Sequence, residues 1–222
     1  VIRFHLVTLF QEACEPYLTA SILGRAREAK KISVDYQNPR DYVENKWGKV
    51  DERPYGGGPG MVMSALPVVK ATVKGLMPRG RRVGTGKKVV IWFQPGAKQF
   101  DNKEADKLAK YSDIAFVCGR YEGIDERALM ILKKVAPVKI YAVGEAVYTG
   151  GEVPALAMID AISRRIPGVL GKFDSVEENR VAARAVYTRP ETITYKGKKL
   201  RVPKVLQTGH HANIDAWKSK KQ

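Results

Sequence analysis

Between Ile2 and Arg165 the sequence alternates short, β-branched apolar runs with longer segments of helical spacing. "IRFHLVTLF" (2–10) reads as a strand and "LTASILGRAREAKK" (18–31) as a helix. "ISVDYQ" (32–37) is a second strand, closed by the breaker string "NPRD". "SALPVVKATVKGL" (64–76) has helical spacing, with Pro67 placed where a first helical turn accepts it. Strands are predicted at "KKVVIWF" (87–93), "DIAFVC" (113–118) and "VKIYAV" (138–143). The helices between and after them are "NKEADKLAKY" (102–111), "DERALMILKK" (125–134) and "PALAMIDAISRR" (154–165). Such alternation predicts an α/β fold with a mostly parallel sheet.

A boundary is expected after "IPGVLG" (166–171), giving a core domain over 1–171. The stretch 172–190 reads as a linker, and 191–222 as an appendage too short for a core of its own. Charge divides the same way. The 222 residues carry 39 Lys and Arg against 23 Asp and Glu, a net +16. From Arg164 to Gln222 the count is 14 basic against 5 acidic residues, or +9. That excess points to a polyanion, with nucleic acid the commonest one. No segment has the apolar length of a membrane span, and "VIRFHLVTLFQEACEPY" (1–17) lacks the basic lead-in and long apolar stretch of a signal peptide, so a membrane role is not expected. Cys14 and Cys118 are too few for a disulfide framework, which fits a reduced, cytoplasmic protein.

Three glycine-rich stretches are candidates for ligand contact: "DERPYGGGPGM" (51–61), "CGRYEGID" (118–125) and "VGEAVYTGGEVPA" (143–155). The last two follow predicted strands, where open α/β sheets bind ligands. None has the spacing of a dinucleotide or triphosphate loop, so those readings lose their support. Backbone contact with a flat polar ligand and ordinary tight turns both remain open on spacing alone.

The literal strings are more specific than their spacings. "DERPYGGGPGM", "CGRYEGIDER" (118–127), "YTGGEVPALAMIDAISRRIPGVLG" (148–171), "YTRPE" (187–191) and "VLQTGHH" (205–211) occur in that order. Together they resemble the bacterial tRNA (guanine-N1)-methyltransferases of the SPOUT superfamily, over nearly the whole chain from Phe4 to Trp217. The resemblance implies a SPOUT-type α/β domain with a C-terminal trefoil knot, and a small helical tRNA-binding extension. It further implies a homodimer with active sites at the subunit interface, methylating the guanine 3′-adjacent to the anticodon with S-adenosylmethionine.

Carried across by position, the cofactor loops are Trp92, Phe93, Gln94 and Pro95, then Gly119, Tyr121 and Glu122. The third comprises Ala142, Val143, Gly144, Glu145, Ala146, Val147, Tyr148, Gly150 and Gly151, with Pro154. Ala146 and Tyr148 stand where the family has tyrosine and leucine, which implies a reshaped adenine rim. Asp51, Arg53, Tyr55, Gly57, Gly58, Pro59 and Gly60 are expected where the target guanine approaches.

Guanine N1 carries a proton, so methylation there needs a base near N1 and a donor for the charge growing on O6. The family's anion-stabilising arginine falls on Arg164, whose permanently charged fork suits that role. The base is where the chain departs. The family places an aspartate after two glutamates, whereas "SVEENRV" (175–181) has Asn179 there, behind Glu178. A carboxamide is no proton acceptor at neutral pH. Glu178 is the expected substitute. The alternative is a protein of the same fold that binds tRNA and cofactor with weak or no transfer. Mg²⁺ is associated with the family, yet no metal-ligand constellation is visible. His210 and His211 lack ligand spacing. The basic strings "PRGRRVGTGKK" (78–88) and "YKGKKLRVPK" (195–204) are candidate phosphate contacts, the second more strongly.

Overall fold

A computed structural model describes residues 1–77, 86–170 and 185–219. The chain divides into two compact units, Val1–Leu170 and Gly171–Gln222.

The first unit is built on five parallel strands: β1 (Ile2–Val7), β2 (Ile32–Gln37), β5 (Lys88–Phe93), β6 (Asp113–Val117) and β7 (Val138–Tyr141). Their order in the sheet is β2-β1-β6-β5-β7. Parallel strands need crossovers, and the crossovers put helices on both faces. The side-chain period of two then sorts each strand between two cores. Phe4 and Leu6 of β1, Val89 and Ile91 of β5, and Ile114 and Phe116 of β6 face α1 (Glu15–Thr19), α2 (Ser21–Glu28), α4 (Asn102–Leu108) and α6 (Glu152–Ser163). Val90, Trp92, Ala115 and Val117 face α3 (Ala65–Leu76) and α5 (Glu126–Val135). The result is a helix–sheet–helix sandwich. A two-residue ribbon, β3 (Asp51–Glu52) against β4 (Val62–Met63), stands apart from the main sheet.

Local sequence explains the helices. In α6 the buried residues Pro154, Ala155, Met158, Ile159 and Ile162 recur at helical spacing on one side. The Asp101 and Asp125 side chains cap α4 and α5 by accepting the backbone N–H groups of Glu104 and Arg127. Pro67 sits in the first turn of α3, as its missing N–H permits. Two elements differ from expectation. The helix expected over 18–31 is two helices, broken where Ala20 is extended (ψ 153°). The strand expected over 2–10 stops at Val7. There Thr8 turns its hydroxyl to Glu152 and accepts the Phe10 N–H, which bends the chain away from the sheet.

One polar cluster sits at the opposite, N-terminal edge of the sheet. Arg3 grips Asp113 with two bonds, Nε to Oδ1 at 2.7 Å and Nη2 to Oδ2 at 2.6 Å. His5 bridges the same carboxylate at 3.0 Å and Asp35 at 3.3 Å, joining β1 to both neighbours. Gly75 of α3 lies where a Cβ would come within 3.1 Å of His5 Cβ, so the helix packs close over this cluster.

The second unit, over its described residues, holds a hairpin of β8 (Thr192–Tyr195) and β9 (Lys198–Arg201), then α7 (His211–Ser219). The hairpin is an addition to the expected helical extension. Its turn, Lys196-Gly197, has positive φ at both residues (49° and 77°), the geometry a two-residue hairpin prefers. Thr192, Thr194, Lys199 and Arg201 share one face by register, Ile193, Tyr195, Lys198 and Leu200 the other. Tyr187 packs on Trp217 with ring centroids 6.1 Å apart. None of the described residues of this unit is buried, in keeping with a segment too small to enclose a core.

Burial pushes the Asp113 carboxyl upward, but the Arg3 and His5 hydrogen bonds outweigh it and hold it at about 2. An unfolded aspartate titrates near ~3.9. The pair's stabilisation is therefore fully present above about pH 4 and is lost as pH falls toward 2. Asp113→Asn should cost on the order of 2 kcal/mol at pH 7 in urea denaturation, and its deficit against wild type should close between pH 4 and 2. A deficit that stays constant across that range would show that the ion pair is not its source.

Candidate active site

Because the strands are parallel, the C-terminal ends of β6, β5 and β7 lie side by side at one edge of the sheet. The loops that leave them enclose a cavity of about 310 Å³. Phe93, Gln94 and Pro95 enter it from β5, and Gly119, Tyr121 and Glu122 from β6. From β7 come Ala142, Val143, Ala146, Val147, Tyr148, Gly150 and Gly151, with Pro154 from the start of α6. Three expected residues do not line it. Trp92 alternates with Phe93 along β5 and is buried on the α3/α5 face, while Gly144 and Glu145 lie on the loop outside the lining. Two lining residues, Gly123 and Tyr141, lie outside the expected loops, while Arg120 and Thr149 fall within the loops expected from Gly119 to Glu122 and from Val143 to Gly151. Arg120, Gly123 and Thr149 interrupt strings already singled out. Tyr141 would have followed from carrying the strand period one residue beyond Ile140.

Backbone hydrogen bonds lock the three loops together. The Gln94 N–H reaches the Tyr141 carbonyl (3.1 Å) and the Gly151 N–H reaches the Gly119 carbonyl (3.0 Å). The segment 98–100 clasps Ala142 from both sides: Ala142 N–H to the Lys98 carbonyl at 2.9 Å, Phe100 N–H to the Ala142 carbonyl at 2.8 Å. A Cβ on Gly151 would stand 2.6 Å from Cys118 Cα, so only glycine lets this loop pass the end of β6. Tyr121 holds φ 59°, a region that costs a non-glycine residue on the order of 1 kcal/mol. Under the cavity floor the Tyr141 hydroxyl donates to buried Glu104 at 2.5 Å. Lys107 and Lys98 also bond that carboxylate, and together these contacts hold it far below the usual carboxylate range. Burial raises the thiols of Cys14, to about 11, and of Cys118, so neither is a thiolate at neutral pH.

The expected substrate residues divide. Residues 53–61 loop out between β3 and β4, and Gly56, Gly57, Gly58 and Gly60 all have positive φ (85°, 78°, 113° and 81°). Gly60 rests on the cavity's own Glu122: a Cβ there would be 2.6 Å from Oε1. The Glu122 N–H meets the Met61 carbonyl at 3.0 Å, and Met63 bridges Ile124 in parallel. Gly60 is thereby brought to the cavity's edge. Arg53 and Tyr55 line a wider neighbouring groove of about 1400 Å³ with Tyr42, Lys49, Lys70 and Arg127; Asp51, Gly57, Gly58 and Pro59 line neither space. Tyr55 is fully exposed.

Arg164 caps the far end of α6, whose first turn supplies Pro154 to the cavity. Ten helical steps separate the two, roughly 15 Å at 1.5 Å per residue. Glu178 and Asn179 lie outside the described residues, as do residues 78–85 of the first basic string. Among the described residues no group of three or more His, Cys, Asp or Glu side chains is placed to hold a metal ion. Among them, too, no helix is long and apolar enough to cross a membrane.

A strand-end cavity with apolar walls, backbone-rich loops and one carboxylate suits a small cofactor with a flat base and a cationic centre. The profile of the family described as "tRNA (Guanine-1)-methyltransferase TrmD" matches residues 2–222. A tRNA (guanine-N(1)-)-methyltransferase of Campylobacter jejuni subsp. jejuni is 38% identical over 221 residues, spanning 98% of this chain and 90% of the relative. Proteins of the same name from Vibrio campbellii (38%; 97% of this chain, 83% of the relative) and Photobacterium profundum (37%; 97% and 83%) are similarly related. With the family profile matched across the sequence and relatives covered at this identity, the chain belongs to the tRNA (guanine-1)-methyltransferase family.

Proposed function

We propose that this protein methylates N1 of the guanine 3′-adjacent to the anticodon in tRNA, using S-adenosylmethionine bound in the strand-end cavity of a homodimer. The observation that carries the reading is the convergence of the cofactor loops and Gly60 on Glu122, in a chain of this family. A donor bound there and a guanine arriving over the glycine loop would meet at the cavity's edge. The net charge of +16 and the basic second unit favour tRNA as the partner. The family resemblance is what supports a trefoil knot in the C-terminal part of the first unit.

S-adenosylmethionine, when bound, supplies an electrophilic methyl group on a sulfonium. The residues present fit it: Phe93, Pro95, Val143, Val147 and Tyr148 offer an apolar bed, and Glu122 a negative charge suited to a cation. Positioning guanine N1 in line with that methyl contributes much of the rate. The glycine loop's backbone can approach a flat base closely because no side chain intervenes at Gly57, Gly58 and Gly60. Arg164 donates to guanine O6 as N1 loses its proton. Its own chain's cavity is a helix length away, so the Arg164 that serves a given cavity comes from the second copy. Glu178 takes the N1 proton, since Asn179 cannot.

Three outcomes are expected. Incubation with unmodified tRNA and methyl-labelled donor, followed by mapping, should place label on N1 of the guanine after the anticodon; label elsewhere, or bound tRNA without label, refutes the reading. Arg164→Ala and Gly151→Val should each be nearly inactive, yet subunit mixing should restore roughly a quarter of wild-type activity, since half the dimers would carry one complete site. No recovery would mean that Arg164 serves its own chain. Glu178→Gln should lower kcat by about a hundredfold and Asn179→Asp should raise it; full activity in Glu178→Gln would remove Glu178 as the base.

A further inference from the structure

The first residue of α6 carries a carboxylate that the chemistry above does not use. Glu152 is only 3% exposed, and its Oε1 accepts the Thr8 hydroxyl at 2.6 Å. Its Oε2 lies 3.0 Å from Arg120 Nε, an ion pair without hydrogen-bond alignment. The Arg120 guanidinium stacks 4.5 Å over the Phe10 ring centroid. One carboxylate thus joins the turn after β1, the loop after β6 and the loop entering α6. The last two build most of the cavity wall, and Arg120 lines it. The glycine pair is shaped around this contact. A Cβ on Gly150 would fall 2.4 Å from Arg120 Nε and 2.6 Å from Glu152 Oε2.

Burying a carboxylate costs desolvation that apolar packing at the same place would avoid, so stability alone is a poor account of it. What the ion pair supplies is position. Arg120 is held between a ring and a carboxylate, with the 119–123 and 146–151 loops fixed against each other. We propose that Glu152 is a positioning residue for donor binding: through Arg120 and Thr8 it sets the spacing of the two loops that hold the cofactor. This rests on the donor assignment made above.

The test is calorimetric titration of the purified full chain with S-adenosylhomocysteine, alongside donor and tRNA kinetics. Glu152→Gln and Arg120→Met should each weaken binding by about tenfold, and the double variant should be no weaker than Glu152→Gln alone. Thr8→Val should weaken binding and Thr8→Ser should restore it, a milder pair that stays informative if Glu152→Gln folds poorly. In kinetics the KM for donor should rise with kcat and the KM for tRNA within about twofold, whereas a purely structural loss would lower kcat at constant KM. Binding within twofold of wild type in both Glu152→Gln and Thr8→Val, or single effects that multiply in the double variant, would overturn the proposal. Wild-type protein that gives no binding would instead overturn the donor assignment itself.

Discussion

Everything in the first unit follows from one pairing constraint, the parallel order β2-β1-β6-β5-β7. Parallel neighbours point the same way, so the ends of β6, β5 and β7 meet at one edge although they are far apart in sequence. The crossovers this requires cover both faces and make the strands apolar on both sides. Phe4 and Phe116 pack tilted at 6.1 Å on one face, while Trp92 and Val117 close the other. Each fully buried aromatic contributes about 1.5–3 kcal/mol, and together such residues fix the sheet on which the loops are mounted. The loops can then be irregular, since their hydrogen bonds are made to one another.

At that edge, backbone geometry carries more of the site than charge does. Gly60 and Gly151 each stand where a Cβ would collide, with Glu122 and Cys118 respectively. The glycines bring the 53–61 loop onto the loop after β6, and the 143–151 loop onto the end of β6. Charged side chains work behind this surface. Glu104 steadies Tyr141 from below, Glu152 ties Arg120 to the turn after β1, and Asp113 closes the opposite end of the sheet. Buried carboxylates of this kind are tolerable because each has cationic or hydroxyl partners.

Much of this was legible in the sequence, for physical reasons. The alternation of short apolar strands and longer amphipathic segments reports local geometry, so the α/β class and the parallel sheet could be read directly. The glycine strings mark close approaches, and the loops singled out by literal resemblance are those that meet around the cavity. The differences have both long-range and local sources. Thr8 read as part of a strand because nothing local announces a hydroxyl bonded to a residue 144 positions away. Trp92 belongs to the first loop by resemblance, but the strand period turns its side chain to the α3/α5 face. The hairpin of 192–201 was passed over because its strands are polar and exposed. The separation of Arg164 from its own chain's cavity exists only once α6 is seen to run from one to the other.

The central claim is that the donor binds among the loops at the ends of β5, β6 and β7. Titration of isotopically labelled protein with S-adenosylhomocysteine, followed by amide NMR shifts, reads this residue by residue. The largest shifts should fall on Gln94, on Gly119 to Gly123 and on Val143 to Gly151, with β2 and α7 unmoved. Shifts concentrated instead around Tyr42, Lys70 and Arg127, with those three loops silent, would contradict it.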